Sequence, residues 1–500
     1  MKKLFSSKLA LAVLGLSIAH CQMLVAKAQT KVGRAGETNR QKQSIVEPSA
    51  EPSNIVVASI GDYVITRMEL EKRLMTELYP SGYESYIEQA EPADPKTVLT
   101  KMIAEKAMVI EARKQGYLKD ESLAEQIKEF KDKRLANLLL QKQLQPKLKV
   151  TESEIQQKMK ADPKLDRARA ETMLTRAKAG ALFNQYYRQI CQKLHMTKKS
   201  ENYLKAAQIH QRLLTKPKKP RKVPFIRIRQ IKEDLTPEER NIVLAKFDNG
   251  KVTLKDWFDF LFESAPPSRP KDLNTPKGVD RLVERALRLP LLVSEARSLG
   301  LDNDKNLLKQ VRDFEDTRLL SKARSENYKE IKEPTPDEIM IYFGKNREIF
   351  RTNRTLKICL IWCQNLKTAR QAKAELDSGK DFESVRQKYS LQEKGKPFDT
   401  SPSGEGLFWK DLWKGDPNDI LGPVKGFYQK SIKWRIVKIL EKNPGEVKGY
   451  SDNMGQRVKE KIVSEQRDAL LAKYGDELLK KYPYKIHAEK IKDIDPLDIP

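Results

Sequence analysis

Apolar residues recur at helical spacing along most of the chain after residue 55. Leu123, Ile127 and Phe130, for example, are separated by four and three residues, so they form one stripe along a helix. Two short apolar runs, 55–65 and 242–252, are instead broken by Gly-Asp and Asn-Gly turns, which favour β-hairpins. The pattern therefore predicts an α+β protein that is mainly α.

Threonines mark the points where several of the predicted helices begin. Thr66 and Thr253 follow the two hairpins and suit the N-cap position, where a side-chain oxygen accepts a hydrogen bond from a backbone N–H. Thr151 and Thr335 are each followed three residues later by a glutamate, which is the pattern of a capping box. We therefore expect a helix directly after each of these threonines.

One segment of the chain is repeated. The sequence Glu-Ala-Arg-x-x-Gly that begins at Glu111 recurs at Glu295, and the same register then continues without a gap. Of the 45 positions from 111 to 155, 14 are identical to their counterparts. The apolar matches follow helical spacing, and Gly116 and Gly300 suit the ends of helices. The sequence therefore predicts a tandem duplication of a helical module.

The second copy of the repeat contains an insert that the first copy lacks. The insert predicts strands at 356–362 and 432–440, with helices at 366–378 and 382–389 between them. A helix at about 451–481 closes the second copy. The predicted organisation is a signal peptide at 1–28, a disordered linker at 29–54, copy 1 at 55–195, a basic linker at 196–240, copy 2 at 241–355, the insert at 356–441 and the closing C-terminal helix of copy 2 at 442–490.

The start of the chain has the pattern of a secretory signal peptide. A basic segment precedes a short apolar run, and Ala26 and Ala28 frame a small-residue site, which predicts cleavage after Ala28. The apolar run is too short to cross a bilayer. Lipoprotein processing at Cys21 is the alternative, and it is disfavoured because His20 stands where a small residue is expected. We therefore expect a periplasmic or secreted protein.

Charge and cysteine content narrow the range of partners. The formal net charge is +27, which often indicates nucleic-acid binding, but export favours anionic envelope components or unfolded chains instead. Cleavage would leave Cys191, Cys359 and Cys363, an odd number that does not make a disulfide framework. The sequence has no Cys/His metal spacing, no nucleophile–base arrangement and no phosphate-binding glycine loop, so we expect no metal and no cofactor.

Several stretches, taken in their order along the chain, resemble the SurA/PrsA-type periplasmic foldases. Residues 60–66 match the N-terminal strand segment, 372–390 look like the parvulin helix pair, 403–409 look like a worn Gly-Gly-Asp-Leu-Gly-Trp loop, and 422–425 resemble the turn before the last strands. In that family a helical chaperone core carries an inserted parvulin-type prolyl isomerase domain. The resemblance implies tandem chaperone modules of the SurA N-terminal type, the second with a small α/β parvulin-like domain.

The resemblance also implies a pocket in the insert, but the histidines of that pocket are replaced. Parvulin sites pair a histidine on the first strand with another on the last, and Leu360 and Arg435 stand at those positions. Cys359 and Phe408 are the other implied pocket positions. Prolyl isomerisation requires lowering a barrier to rotation about the peptide bond of about 18–20 kcal/mol. No histidine pair stands at these positions to help lower that barrier. We therefore assign no catalytic residue and leave peptidyl-prolyl cis-trans isomerase activity open.

Aromatic residues are the candidates for client binding. Trp257 and Phe258 lie in copy 2, and Phe408, Trp409 and Trp413 lie in the insert. Contiguous apolar surface on a secreted protein usually marks a binding site, whereas core packing is the competing interpretation of the same residues. These five residues are therefore our candidate substrate-binding set.

The sequence as a whole predicts an exported chaperone that binds unfolded, extended or nascent envelope polypeptides. It would bind no nucleic acid, and peripheral contact with an anionic membrane stays open. One alternative is an active parvulin-type peptidyl-prolyl isomerase with altered catalytic residues. Another is a basic adaptor that binds anionic envelope polymers, which rests on the charge alone. The sequence leaves the clients and the oligomeric state open.

Overall fold

The structure is a computed structural model that describes residues 55–78, 91–216, 225–352, 354–392, 395–429, 431–497 and 499. The predicted signal peptide at 1–28, the predicted linker at 29–54 and residues 217–224 of the predicted basic linker lie outside the described residues. Within the described part of the chain, no helix is both long and apolar enough to cross a membrane.

The protein is mainly helical, with three small antiparallel sheets. The strands are β1 (Val56–Ile60), β2 (Tyr63–Thr66), β3 (Thr197–Lys198), β4 (Val243–Phe247), β5 (Gly250–Thr253), β6 (Thr355–Cys363), β7 (Phe398–Thr400), β8 (Ile420–Tyr428), β9 (Ser431–Asn443) and β10 (Tyr484–Ile486). Helices of seven residues or more are α1 (Arg67–Glu77), α2 (Pro95–Lys114), α3 (Glu121–Leu144), α4 (Glu152–Ala161), α5 (Arg167–Lys193), α6 (Tyr203–Thr215), α7 (Ile228–Asp234), α8 (Leu254–Phe262), α9 (Pro276–Ala286), α10 (Arg288–Ser298), α11 (Lys305–Asn327), α12 (Pro336–Lys345), α13 (Leu366–Asp377), α14 (Phe382–Tyr389) and α15 (Asp452–Lys481).

The predicted helix signals are confirmed. Thr66, Thr151, Thr253 and Thr335 are all N-caps, and each forms a capping box with the acidic side chain three residues later. The predicted helix ends at Gly116 and Gly300 have positive φ angles of 73° and 68°, a conformation that glycine adopts without the steric cost of a Cβ. Local chemistry therefore sets these boundaries.

The described residues form two compact units, which do not follow the two sequence copies. Unit 1 comprises residues 120–315, and unit 2 comprises residues 55–119 together with 316–499. Elements of both copies are present in each unit. The predicted division at 55–195, 241–355 and 442–490 therefore describes the repeat in the sequence and is not the division of the folded chain.

Unit 1 has one apolar core and one three-stranded sheet. The sheet has the order β3-β4-β5, and the core joins α3, α5, α6 and α8–α10. The ammonium of Lys193, at the end of α5, lies 2.7 Å from a carboxylate oxygen of the buried Glu295 on α10. The rings of Phe130 and Phe314, which are counterparts in the repeat, stack with their centroids 4.0 Å apart. Equivalent positions of the two sequence copies therefore contact each other inside this unit.

Unit 2 has a sheet and a helical layer of the same kind. Its sheet has the order β10-β1-β2, and α2 packs against α1 and α15. The ammonium of Lys481, at the end of α15, lies 2.6 Å from a carboxylate oxygen of the buried Glu111 on α2. Glu111 and Glu295 are counterparts in the repeat, and Lys481 is the counterpart of Lys193 once the insert that lengthens copy 2 is allowed for. The same ion pair therefore occurs in both units.

The insert forms a four-stranded antiparallel sheet within unit 2, in the order β7-β6-β9-β8. The first and last predicted strands are neighbours, because β6 pairs with β9 and Cys359 lies opposite Lys438. Helices α13 and α14 cover one face of this sheet, and a short helix, Trp409–Trp413, packs on the other. β8 was missed in the sequence because its Gly and Pro residues resemble a turn.

Two sequence predictions require correction. Residues 196–240 are not simply a linker, because α6 buries an apolar stripe that includes Tyr203, Ala207 and Leu213. The sequence pattern also predicts one helix from 279 to 299, and the structure divides this stretch between α9 and α10. Pro290 lies in the first turn of α10 and has no N–H to donate to the preceding turn, which explains the break.

Candidate functional site

The pocket implied by the resemblance would lie on the β6–β9 face that carries Leu360 and Arg435. Leu360 is buried in the apolar cluster of this face. Arg435 pairs across the strands with Trp362, and its guanidinium lies 5.1 Å from the centre of the indole ring. The two positions that replace the histidines are therefore on one face and are both filled by packed side chains.

Arg435 is held by a buried ion pair. Its Nη2 donates to Glu405 Oε2 at 2.6 Å, and the two residues are only 1% and 5% exposed. Thr400 Oγ1 donates to the other carboxylate oxygen of Glu405 at 2.7 Å. The guanidinium also leaves no room at Gly426, where a Cβ would lie 2.4 Å from it. These contacts place a neutralised charge pair on the face where the resemblance implies a pocket.

Cys359 does not belong to this arrangement. Side chains alternate along a strand, so Cys359 projects to the opposite face from Leu360. The charges that influence its thiol come from Lys438, Glu383 and Arg386, on β9 and α14. Burial raises the pKa of the Cys359 thiol, which keeps it protonated near neutral pH. The structure therefore corrects the assignment of Cys359 to the pocket.

Phe408 is buried, and the backbone at the end of α1 covers the loop that precedes it. Its ring packs edge-on against Phe427 with centroids 4.9 Å apart. The N–H of Leu407 donates to the carbonyl oxygen of Leu78 at 3.0 Å. A Cβ at Gly406 would lie 2.3 Å from that same oxygen. The backbone at the end of α1 therefore lies directly against this loop, and Phe408 has no open surface for a client.

The other aromatic candidates are mostly core residues, which corrects their assignment to client binding. Trp257 and Phe258 are fully buried in unit 1, where their rings pack at 84° to each other. Trp409 is also fully buried and stacks on Trp413 with centroids 5.2 Å apart. Only Trp413 among the five keeps partial exposure. Helical spacing alone could not separate a core stripe from an exposed one.

An open concave surface lies elsewhere in unit 2. Two adjoining cavities of about 330 and 320 Å³ share Tyr328, just after α11. The first is lined by residues of α11 from Thr317 onward, and the second by Ile331 and Glu333 together with residues of α15 from Gln456 to Arg467. We call this surface, lined by residues within 317–333 and 456–467, the unit 2 groove.

The unit 2 groove combines half-buried apolar side chains with charged ones. Arg467 is exposed and lies over the ring of Tyr328 at 5.0 Å. On the wall formed by α15, Lys459 pairs with Glu333 at 2.7 Å. A partly wet surface with an aromatic base can hold an extended chain by apolar contact and by hydrogen bonds to its backbone. No step of covalent chemistry is suggested by these residues.

Two of the groove residues, Tyr328 and Arg467, have buried counterparts in unit 1. Tyr328 is the counterpart of Leu144 in the repeat, and Arg467 is the counterpart of Ala179 once the insert is allowed for. Leu144 and Ala179 are both only 7% exposed. Replacing two smaller apolar residues by bulky ones that reach solvent prevents the same close packing. The two copies thus differ at two positions that line the groove. Aligning the repeat would have shown this difference from the sequence alone.

Metal and redox chemistry have no evident site in the described residues. No group of three or more His, Cys, Asp or Glu side chains among them could hold a metal ion. Cys191, Cys359 and Cys363 are free thiols, and Cys363 has its pKa raised to about 11 by burial. Cys191 packs against the core of unit 1, and Cys363 lies in an apolar cluster of the insert.

No family model matches this chain, and no curated protein matches it. Solved structures that are similar include a SurA-like chaperone of Campylobacter jejuni, at 13% identity, 48% of this chain, 97% of that chain and a TM-score of 0.24. PrsA from Bacillus anthracis is 18% identical, over 38% of this chain and 84% of that chain, with a TM-score of 0.20. PrsA from Bacillus subtilis is 19% identical, over 51% of this chain and 98% of that chain, with a TM-score of 0.17. The chain thus has a distant structural similarity to SurA-like chaperones and PrsA foldases over about half its length. Similarity at this level says nothing about activity.

Proposed function

We propose that this protein is an exported holding chaperone that binds extended, unfolded polypeptides in the unit 2 groove. The observation that carries the proposal is the groove itself, which is open in unit 2, whereas the unit 1 counterparts of its residues Tyr328 and Arg467 are buried. Its tandem helical architecture with a parvulin-like insert, as the sequence resemblance implies, is consistent with this role. Binding of this kind needs apolar contact and hydrogen bonding, and no cofactor.

The insert supports holding in preference to isomerisation. Arg435 and Glu405 fill the pocket face with a buried ion pair, and Leu360 replaces a hydrogen-bonding ring with an alkyl group. A prolyl amide would have to displace both in order to be twisted there. We therefore expect prolyl isomerisation at close to the background rate, which a proline-peptide assay measures directly.

The groove is tested by an aggregation-suppression assay with matched variants. Tyr328→Ser removes the aromatic base of the groove and should weaken client affinity by about 5- to 30-fold, as expected for losing roughly 1–2 kcal/mol of aromatic contact. Leu204→Ser is the control, because Leu204 is 58% exposed on α6 of unit 1 and is not one of the residues that line the groove. Equal suppression by both variants and the parent would contradict the groove assignment.

The runner-up functions give different results in the same set of measurements. Rapid proline-peptide isomerisation by the parent chain would favour an active isomerase. Salt-sensitive retention on an anionic polymer, with no suppression of aggregation, would favour a basic adaptor, because exposed charges are screened by salt.

A further inference from the structure

We infer that the two halves of this chain, 55–216 and 225–499, are exchanged partners, neither of which folds as an isolated monomer. The surface of each half that contacts the other half is then complementary to a second copy of the same repeat. This inference is independent of the proposed function. It rests on which half supplies each element of each unit.

Both repeat-related sheets are completed by the opposite half. In unit 2, the hairpin β1-β2 of the first half pairs with β10 of the second half, with Ala58 opposite Ile486. In unit 1, the hairpin β4-β5 of the second half pairs with β3 of the first half, with Thr197 opposite Lys246. An isolated hairpin is only marginally stable in water, so each one depends on the third strand.

The helical layers are exchanged in the same way. In unit 1, α3 of the first half packs on α10 of the second half, and Leu135 and Leu139 join the same apolar core as Leu291 and Leu292. In unit 2, α2 of the first half packs on α15 of the second half. Either half alone would expose these apolar faces, which favours association over an unpaired fold.

Ion pairs across the halves recur at equivalent repeat positions. Arg113 of the first half lies 2.7 Å from Asp316 of the second half in unit 2. Arg297 of the second half lies 2.8 Å from Asp132 of the first half in unit 1. The two arginines are counterparts in the repeat, and so are the two aspartates. The same contact is thus made twice with the roles of the halves reversed.

The pairing of buried glutamates with the closing helices repeats this reversal. Glu111 of the first half binds Lys481 of the second, and Glu295 of the second half binds Lys193 of the first. Two copies of one repeat that exchange their segments make each such contact in both directions. Independent modules joined by a linker would instead keep these pairs within one half.

The test begins with the full-length mature chain, into which a site-specific protease site is inserted between Lys216 and Phe225. After cleavage the two halves should co-elute and keep the near-UV circular dichroism of the uncut chain. The halves are then separated in denaturant and refolded alone or mixed. We expect near-complete recovery of the near-UV signal only in the mixture.

The outcomes separate exchange from independent folding. A half that refolds alone to a stable monomer with native near-UV signal would overturn the inference. A folded homodimer of the second half would support it, because two identical copies would then make the same exchange. Failure of both halves alone, with recovery on mixing, is the expected result.

A charge variant extends the test to the repeated ion pair. In the cleaved chain, Arg297→Asp should raise the dissociation constant of the halves by about 2- to 10-fold, because the Arg297 side chain is half-exposed, and adding Asp132→Arg should restore most of the affinity. Arg229→Asp is the control, because Arg229 pairs with Glu233 inside one half and is exposed. Equal effects of Arg297→Asp and Arg229→Asp would contradict a contact between the halves at Arg297.

Discussion

Replacing Arg435 by alanine is expected to lower the free energy of unfolding of the insert by about 3–5 kcal/mol, the usual cost of breaking a buried ion pair from one side. Glu405 is 5% exposed and would keep only the hydrogen bond from Thr400 at 2.7 Å. Its buried carboxylate would then have lost its cationic partner. The variant would also lose the contact with Trp362, worth about 0.5–2 kcal/mol.

A paired variant separates the charge from the packing. Arg435→Met together with Glu405→Gln removes both charges while keeping most of the side-chain volume. The introduced glutamine would still accept the hydrogen bond from Thr400. Because the cost of desolvating two charges disappears as well, the double variant should lie within about 1.5 kcal/mol of the parent.

Tryptophan fluorescence in a urea titration measures this change selectively. Four of the five tryptophans, Trp362, Trp409, Trp413 and Trp434, lie in the insert. Arg435→Ala should therefore shift the fluorescence transition to lower urea and leave helical circular dichroism of the rest of the chain less affected. A loss below about 1 kcal/mol for Arg435→Ala, or an equal loss in the double variant, would refute the ion-pair reasoning.

Two further predictions concern unit 1. Burial lowers the pKa of His210 to about 4, whereas the pKa of histidine in an unfolded chain is about 6.5. Because the unfolded chain therefore binds the proton more tightly, the free energy of unfolding of unit 1 should fall by up to about 3 kcal/mol as pH falls from about 6.5 to about 4. Urea titrations across this range should show the slope, and a His210→Phe chain that kept the slope would rule out His210 as its source. A Cβ at Gly278 would lie 1.9 Å from the carbonyl oxygen of Asp272, so Gly278→Ala should destabilise by about 1–3 kcal/mol in thermal melts. Gly180, a helical glycine with nothing within 4 Å of that position, is the control, and Gly180→Ala should stabilise by about 0.5–1 kcal/mol; equal shifts for the two would contradict the steric account.

Sequence reasoning located the insert but misjudged part of its pocket. The strands around Cys359 and Ile436 could be read from their apolar runs, and they are neighbours in the sheet. Alternation of side chains along β6 decides the face of the sheet on which Cys359 lies. The resemblance compared positions in the sequence only and did not take this alternation into account. The partner of Arg435 could not be read either, because Glu405 is distant in the sequence and meets it only when the loop folds over the sheet.

The sequence by itself determined the local elements of this protein and the existence of the repeat. Caps such as Thr151 and Thr335, and the positive-φ glycines after the helices, act through contacts within a few residues, so their signals are complete in the local sequence. Which elements share a unit was decided by the tertiary structure alone. Strands as short as β3 and β10 carry too little pattern to indicate their partners, and β10, the last of the described strands, pairs with β1, the first. Burying the apolar faces of both copies at once selects that exchange, and this is a property of the whole chain.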